Sequence, residues 1–321
     1  MGNVATAWKT DNYKFVGKEF DYSYVDFLSK QGIMSLIGSE LTNSIDYEIT
    51  GMDGYGELQP YDGTNLVHGT PKRGFKTIIT PKEFNLTRDL GMKQVKVDRT
   101  GQSNKTGKYL GRSAAITRYL YALRMIARAY DSNYVGGDGK KWAATDHPIA
   151  SKYSEGRGYI ADADAGTFSN LFTGKLGTKT IDDMRRAGRD YVAPTGLPMA
   201  LKHDMLLVSS KLEAQAASLL GRGRQYRPMK DPESAENAAS TISDMQWMVV
   251  GDGKDGLQGE QFAICDSTML KEVALVVDIT PPKVMETELD NPLIQRFVAY
   301  ADFGYGFGDA RPIIFSTGAG A

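Results

Sequence analysis

The sequence predicts an α+β protein, and three stretches with different patterns support that prediction. Residues 112–130 carry a helical apolar stripe, residues 46–81 are rich in glycine and turn-forming pairs, and the last fifth of the chain contains short β-type runs. Helical and strand patterns are unequally arranged along the chain, which is typical of the α+β class.

The composition is that of an ordinary globular protein. The chain has 321 residues, 41% of them apolar, and its 38 Lys and Arg against 39 Asp and Glu leave a net charge of -1. Such a chain can bury a sizeable core, and near-zero net charge argues against a protein that coats nucleic acid with its whole surface. The single cysteine, Cys265, favours a reducing cytoplasmic site of folding. No signal peptide is evident, and the longest apolar run, 273–277, is too short to cross a bilayer, so no membrane association is expected.

The N-terminal part of the chain is predicted to lack a core of its own. Residues 1–21 show no clear periodicity, the following segment is at best a weak helix interrupted by Gly32, and together they indicate an extended arm. The next segment contains Asp-Gly pairs at 53–54 and 62–63 between β-type runs, which predicts a long hairpin with a glycine-rich tip. Because this hairpin has few large apolar residues, we expect it to lean on another part of the protein or on another subunit.

Two helices are predicted with different strength. The stronger one has a continuous apolar stripe with spacings of 4, 3, 4 and 3, formed by Ile116, Leu120, Leu123, Ala127 and Tyr130. The second follows the strand MLLV and begins at Ser210. Glu213 lies three residues later, as in a capping box, and Gly221 is a stop signal.

The C-terminal fifth is predicted to be a series of strands. The run KEVALVVDI is expected to end at Pro281-Pro282. The runs IQRFVAYAD and RPIIFS are then expected to form a hairpin, with Gly304, Gly306 and Gly308 in the turn between them.

Motifs that would indicate an enzyme lack their structural context. The segment GDGKDG at 251–256 satisfies GxGxxG, but no helical stripe follows it, so a turn is favoured and a nucleotide-binding enzyme is kept only as an alternative. His68, His147 and His203 are isolated, and Cys265 has no neighbouring thiol. We therefore predict no catalytic residues, no metal site and no cofactor.

One basic block stands out against the balanced total charge. Residues 87–130 hold ten Lys or Arg and two Asp or Glu, an excess of +8, and the block coincides with the stronger helix. Two interpretations stay open: a solvated face paired with acids elsewhere, including on another subunit, or a surface that faces phosphate. The residues alone favour the first.

The order of these pieces resembles that of the major capsid proteins of tailed bacteriophages, particularly the Mu-like head subunits. Four stretches carry the resemblance, of which the last two are the most specific: GELQPYDGTNLVHGTPKRGFKTIITPKEFNLTRDL, DGKKWAATDHPIAS, GLPMALKHDMLLVSSKLEAQAASLLG and NPLIQRFVAYADFGYGFGDARPIIFSTGAG. None of them is a catalytic signature.

The resemblance implies a domain organisation that accounts for the arm and the hairpin. It assigns 1–46 to an N-terminal arm, 47–86 to an extended loop, 87–190 to a peripheral domain with a spine helix at 112–130, 191–270 to an axial domain, and 271–321 to a return to the peripheral domain. An arm and a loop without cores would be useful if they lay across neighbouring subunits.

The function implied by the resemblance is structural. The chain would assemble into pentamers and hexamers and then into an icosahedral shell around packaged double-stranded DNA, bound without sequence specificity. Its other expected partners are a separate scaffolding protein, a portal and a decoration or cement protein. It would be found in the virion capsid after assembly in the host cytoplasm. A non-viral shell subunit enclosing other cargo is the second alternative.

The resemblance also implies two sets of functional residues. The spine helix would turn its cations toward DNA on the inner side of the shell: Arg112, Arg118, Arg124 and Arg128. The extended loop would contact adjacent subunits through Tyr55, Leu58, Tyr61, Leu66, Lys72, Arg73 and Phe75.

Overall fold

The computed structural model describes residues 3–50, 58, 60–61, 75–96, 101–154, 158–220, 242, 244–252, 254–287 and 293–320. The helices in this part of the chain are α1 (Asn3–Ser29), α2 (Met92–Lys96), α3 (Gln102–Ala127), α4 (Thr178–Arg189), α5 (Glu213–Leu219) and α6 (Leu270–Val273). The strands are β1 (Gly38–Leu41), β2 (Tyr47–Thr50), β3 (Lys76–Ile79), β4 (Lys82–Gly91), β5 (His147–Pro148), β6 (Ser151–Ser154), β7 (Gly158–Ala161), β8 (Thr167–Phe168), β9 (Leu171–Phe172), β10 (Met205–Val208), β11 (Gln246–Val249), β12 (Gly251–Asp252), β13 (Asp255–Gly256), β14 (Phe262–Cys265), β15 (Ala274–Thr287), β16 (Ile294–Phe307) and β17 (Ile313–Ser316).

A long antiparallel pair, β15 and β16, forms the centre of the first sheet, whose strand order is β1-β15-β16-β4. The pairing runs from Ala274 opposite Phe307 to Thr287 opposite Arg296. The prediction that β15 ends at Pro281-Pro282 is wrong. The strand continues through both prolines, and the register shifts between Asp278 and Lys283. Proline cannot donate a ladder hydrogen bond, and a bulge accommodates that loss without ending the strand.

Helices α1 and α3 lie side by side on one face of this sheet. Val16 lies beside Gly107 and Phe20 beside Gly111, so the two helices run parallel. A Cβ at Gly107 would lie 2.5 Å from the carbonyl oxygen of Val16, and one at Gly111 would overlap that of Phe20. The glycines therefore allow the helices to approach closely. The predicted extended arm is in fact helical, because this contact supplies the burial that its own sequence pattern lacks.

The buried face of α3 differs from the predicted stripe by about one residue, or roughly 100° around the helix. Leu123 is buried as expected, but Ile116, Leu120 and Ala127 are only partly covered. The face one residue earlier combines small residues with one arginine and one isoleucine, and Leu110, Leu123 and Met125 beside it are buried too. It consists of Gly107, Gly111, Ala115, Arg118, Ala122, Ile126 and, in the 3-10 turn after α3, Ala129. A stripe defined by large apolar residues misses such a face.

The opposite face of the sheet carries the paired strands β2 and β3. The side chain of Ile79 lies over Gly304 and Gly306, and a Cβ at Gly304 would be 2.8 Å from Cγ2 of Ile79. Gly308 lies in the same way under Ile49. These three glycines were predicted to form a turn, but Gly304 and Gly306 lie inside β16 and Gly308 directly follows it. Their spacing of two places them on one face, where they leave room for the isoleucines.

The second sheet has the strand order β11-β10-β14-β17-β9, with α4 and α5 on one side. Alternate residues of β14 face different cores: Phe262 and Ile264 pack with α4 and α5, whereas Ala263 and Cys265 join the core that reaches α3. The predicted pairing of β16 with β17 is wrong, because β17 pairs with β14 and β9. Since β9 and β17 both lie outside 191–270, the predicted domain boundaries do not follow this sheet.

The second predicted helix is present, but its start differs from the prediction. A 3-10 turn at Ser210–Leu212 leads into α5, and Ser209 rather than Ser210 occupies the N-terminal flanking position. The hydroxyl of Ser209 donates to the carbonyl oxygen of Gly259 and caps no helix N–H. The capping box is therefore wrong, whereas the folding role of the segment is consistent with buried Leu212 and Ala216.

Two glycine substitutions should have opposite effects on stability. Gly111→Ala should lower the free energy of unfolding by about 1–3 kcal/mol, because the new methyl group forces α1 and α3 apart. Gly17→Ala is the matched control within α1: nothing lies within 4 Å of the added Cβ, and replacing a helical glycine should raise stability by about 0.5–1 kcal/mol. Urea unfolding measures both. Equal effects of the two variants would contradict close packing at Gly111.

Acid should destabilise the fold through His203. This residue is 2% exposed, and its Nε2 atom has no hydrogen-bond partner among the described residues. Burial lowers its pKa to about 4, from a usual value of 6.5. The unfolded chain therefore binds the proton more tightly. Stability should be full above pH 6.5 and fall by up to about 3 kcal/mol as the pH drops toward 4. His203→Leu should flatten this part of the pH profile in urea unfolding, and an unchanged slope would contradict the assignment.

Candidate functional site

The residues with predicted functions belong to two segments of the chain: the spine helix α3 with the 3-10 turn that follows it, and the segment between β2 and β3. The spine helix is confirmed and begins at Gln102, ten residues before its predicted start. The four arginines predicted to face DNA occupy very different environments along it.

Arg118 is buried in the protein and forms a salt bridge with Asp278 of β15. It is 6% exposed, and its Nη1 and Nη2 atoms donate to the two carboxylate oxygens of Asp278 at 2.6 and 2.7 Å. Asp278 is 4% exposed. Two parallel hydrogen bonds of this kind fix the orientation of both groups. The pair joins the middle of α3 to the centre of the first sheet.

Aromatic side chains enclose this ion pair. The guanidinium carbon of Arg118 lies 5.5 Å from the ring centre of Phe303, and the hydroxyl of Tyr305 donates to the backbone carbonyl of Arg118. Burial raises the pKa of Tyr24 and of Tyr305, so both hydroxyls stay protonated. Burial alone would lower the pKa of Arg118, but the hydrogen bonds to Asp278 and the electrostatic effects of Tyr24, Tyr305 and Asp278 together outweigh burial and raise it. The guanidinium of Arg118 thus stays charged although it is shielded from water.

The prediction that Arg118 faces DNA is therefore wrong, because a guanidinium held in this way cannot reach a phosphate. Arg124 is partly exposed and pairs with Asp255 of β13, with Nε 3.1 Å from the carboxylate. Arg128 lies over the ring of Tyr134 at 4.2 Å. Arg112 is exposed, and its guanidinium carbon is 5.9 Å from the ring centre of Phe27.

The exposed positive charge of α3 is concentrated in its first half. Lys105, Lys108 and Arg112 are all exposed and follow each other at spacings of three and four, which places them on one side of the helix. Tyr109 lies among them and is 59% exposed. Since none of the salt bridges in the described part of the chain includes these three cations, their charge is available to a ligand.

The described part of the extended loop is its base. β2 and β3 form the predicted antiparallel pair, from Tyr47 opposite Ile79 to Thr50 opposite Lys76. Leu58 and Tyr61 are 95% and 67% exposed. Phe75 borders a small cleft that also contains Phe168. The other predicted contact residues lie outside the described residues: Tyr55, Leu66, Lys72 and Arg73.

The glycine-rich segment considered for nucleotide binding is a tight hairpin. β12 and β13 pair antiparallel, with Gly251 opposite Gly256, which confirms the predicted turn. Arg124 and Asp255 attach this hairpin to α3. Within the described residues, no group of three His, Cys, Asp or Glu side chains is arranged to hold a metal ion. None of the helices in that part is both long and apolar enough to span a membrane.

Asp278 is the residue of this site that sequence analysis missed. The sequence does contain an indication of its role, because Asp278 is the one charged residue in the strand run VALVVDI. A carboxylate inside an apolar strand requires a buried cationic partner. Arg118 is the corresponding cation, in a helix face that is otherwise apolar or glycine, but neither residue alone indicates the other.

Comparison with solved structures identifies the fold. The chain aligns with a structure described as the procapsid of bacteriophage JBD30, with a TM-score of 0.52 and 14% identity over 99% of this chain and 76% of that one. It also aligns with the mature capsid of bacteriophage PhiM1, with a TM-score of 0.51 and 11% identity over 89% and 86%. The capsid of an empty GTA particle gives a TM-score of 0.50 and 12% identity over 88% of each chain. No protein-family model and no curated protein matches.

These alignments define the class of fold. The chain has the α+β fold of tailed-phage major capsid proteins across nearly its whole length. The predicted fold is thus confirmed, whereas the closer resemblance to Mu-like head subunits stays a prediction.

Replacing one member of the buried ion pair should lower the free energy of unfolding more than replacing both members. Arg118→Met and Asp278→Leu should each lower the free energy of unfolding by about 3–5 kcal/mol, because each leaves one charge buried and unpaired. The double variant should cost less than either single variant. Arg124→Met is the control, and loss of its partly exposed salt bridge should cost less than about 1 kcal/mol. A double-mutant cycle in urea gives the coupling, and additive effects would contradict it.

Proposed function

We propose that this chain is the shell-forming subunit of an icosahedral viral capsid that encloses packaged double-stranded DNA. The observation that carries the proposal is the fold, shared over 99% of the chain with a procapsid structure and over 89% with a mature capsid structure. The protein's action in this proposal is geometric closure, so it is structural and not an enzyme.

The proposed division of labour follows the predicted domains. α1 within the arm (1–46) packs on the chain's own spine helix, and the extended loop (47–86) reaches adjacent subunits from its base on β16. Residues 87–190 and 271–321 supply the peripheral domain, and 191–270 supply most of the axial domain that meets its copies in pentamers and hexamers. The fold supports this assignment by analogy. The Mu-like subtype belongs to the same proposal.

The proposed partners are those that a shell of this kind needs. They comprise further copies of the chain, a separate scaffolding protein, a portal, a decoration or cement protein, and DNA bound without sequence specificity. Assembly in the host cytoplasm and residence in the virion capsid complete the proposal. No cofactor is required for any of these steps.

The proposed DNA-facing surface is the exposed side of α3 without Arg118. Arg112 is its best-supported member, because it is exposed and lies in line with Lys105 and Lys108. Arg124 and Arg128 are partly exposed and could contribute charge at the far end of the helix. Contacts from such side chains to phosphates carry no sequence information, which suits a container for any packaged genome.

Shortening the extended loop should separate folding from assembly. Purified wild-type protein is expected to form ring-like capsomers or shells in negative-stain electron microscopy. Replacing residues 52–74 with a short Gly-Ser linker should leave the thermal unfolding midpoint close to wild type, because this segment has few large apolar residues and its described side chains Leu58 and Tyr61 are exposed. The same replacement should abolish shells. Normal shells from the shortened variant would contradict the role of the loop. Shells from the native source that contain protein cargo and no nuclease-protected DNA would instead support the non-viral alternative.

A further inference from the structure

A second positively charged surface lies on the other flank of α1, away from α3. There α1 and β15 border an open groove of about 430 Å³. The hydroxyl of Tyr13 donates to the carbonyl oxygen of Val284 at 3.0 Å and closes one wall of the groove. Three lysines line it: Lys14, Lys18 and Lys283.

The charge of this groove is poorly compensated. All three lysines are exposed, and none of them forms a salt bridge with another described residue. Asp21 is the carboxylate that lines the groove beside them. Glu286 follows on the same strand, where it accepts a hydrogen bond from Gln295. Three like charges held around one concave site repel each other, so an anion that neutralises them is bound favourably.

The parallel packing of the two helices places their exposed cations at the same height. Because Val16 lies beside Gly107 in the parallel packing, Lys14 and Lys105 occupy the same level of the two-helix layer. Lys18 follows Lys14 one turn along α1, and Lys108 follows Lys105 on α3. The layer therefore presents cations from both helices over the same length.

We infer that the groove between α1 and β15 binds phosphate groups of DNA. This inference rests on the proposed function, which supplies the DNA. Lysines suit the task because each is a flexible point charge that can follow a backbone without reading bases. The groove lacks large apolar side chains in its lining apart from Tyr13 and Val284, which favours a phosphodiester chain over an amphipathic acidic helix.

Gly17 allows a test that changes charge at nearly constant shape. It lines the groove, and an added Cβ meets no atom within 4 Å. Gly17→Glu and Gly17→Gln add side chains of similar size that differ in charge. Binding of full-length protein to a fluorescent DNA duplex is measured by anisotropy at several salt concentrations. Gly17→Glu should bind at least several-fold more weakly than Gly17→Gln, and Asp21→Asn should bind more tightly than wild type. Equal affinities of the Glu and Gln variants would overturn the inference.

The salt dependence of binding reports how many phosphates the protein neutralises. Replacing Lys14, Lys18 and Lys283 together with Gln should reduce the slope of log affinity against log salt by about 0.9 for each phosphate that is no longer neutralised. The matched control replaces three exposed lysines near the second sheet, Lys175, Lys179 and Lys202, and should leave the slope unchanged. An unchanged slope in the first variant, or an equal reduction in both, would overturn the inference. The inference would also be overturned if replacing these lysines weakened the binding of polyglutamate but left the binding of DNA unchanged.

Electron microscopy of the same variants keeps the two proposals apart. The groove variants should form shells like wild type, since their substitutions lie on an exposed surface. If the groove variants form normal shells and bind DNA like wild type, DNA binding by the groove is refuted and the proposed shell function is unaffected. Failure of the wild-type chain to form capsomers or shells would overturn the proposed function, whatever the DNA measurement shows.

Discussion

The buried ion pair between Arg118 and Asp278 is the contact on which the arrangement of the first sheet and its helices depends. Two charges removed from water are tolerated only in a narrow set of geometries. Here each guanidinium nitrogen faces its own carboxylate oxygen, at 2.6 and 2.7 Å. Sliding or rotating α3 over β15 would leave both charges unsatisfied. The pair thus fixes the position of the spine helix, to which α1 is then fitted through Gly107 and Gly111.

Glycine organises both faces of this layer. On the helix side, Gly107 and Gly111 let α1 approach α3, and on the opposite side Gly304 and Gly306 accept Ile79 from the base of the extended loop. In each case a neighbouring residue occupies the space that a side chain at the glycine would need, so the packing leaves no cavity there. The base of the extended loop consequently packs on β16, the strand that also contacts the spine helix through Phe303 and Tyr305.

The sequence predicts well those elements whose pattern is set locally. The spine helix, the loop base and the turn at Gly251 follow from periodicity and turn residues, and they are present. The predictions fail where tertiary contacts determine the conformation or the environment of a residue. α1 has almost no apolar periodicity of its own, and its helix depends on α3. Closely spaced glycines are typical of a turn, yet Gly304 and Gly306 lie within β16, where Ile79 packs against them. Arg118 was expected on the surface because its partner is 160 residues away in sequence.

The connection from β16 to β17 has a consequence for how a shell could curve. These strands belong to different sheets, and a short buried segment joins them. Within it Arg311 donates to the carboxylate of Asp309 and to the carbonyl oxygen of Ile149, with both ionic side chains 5% exposed. A joint filled in this way resists bending. If the chain forms the proposed shell, each copy should therefore act as a stiff unit, and differences in angle between flat and strongly curved regions would have to arise at the contacts between copies.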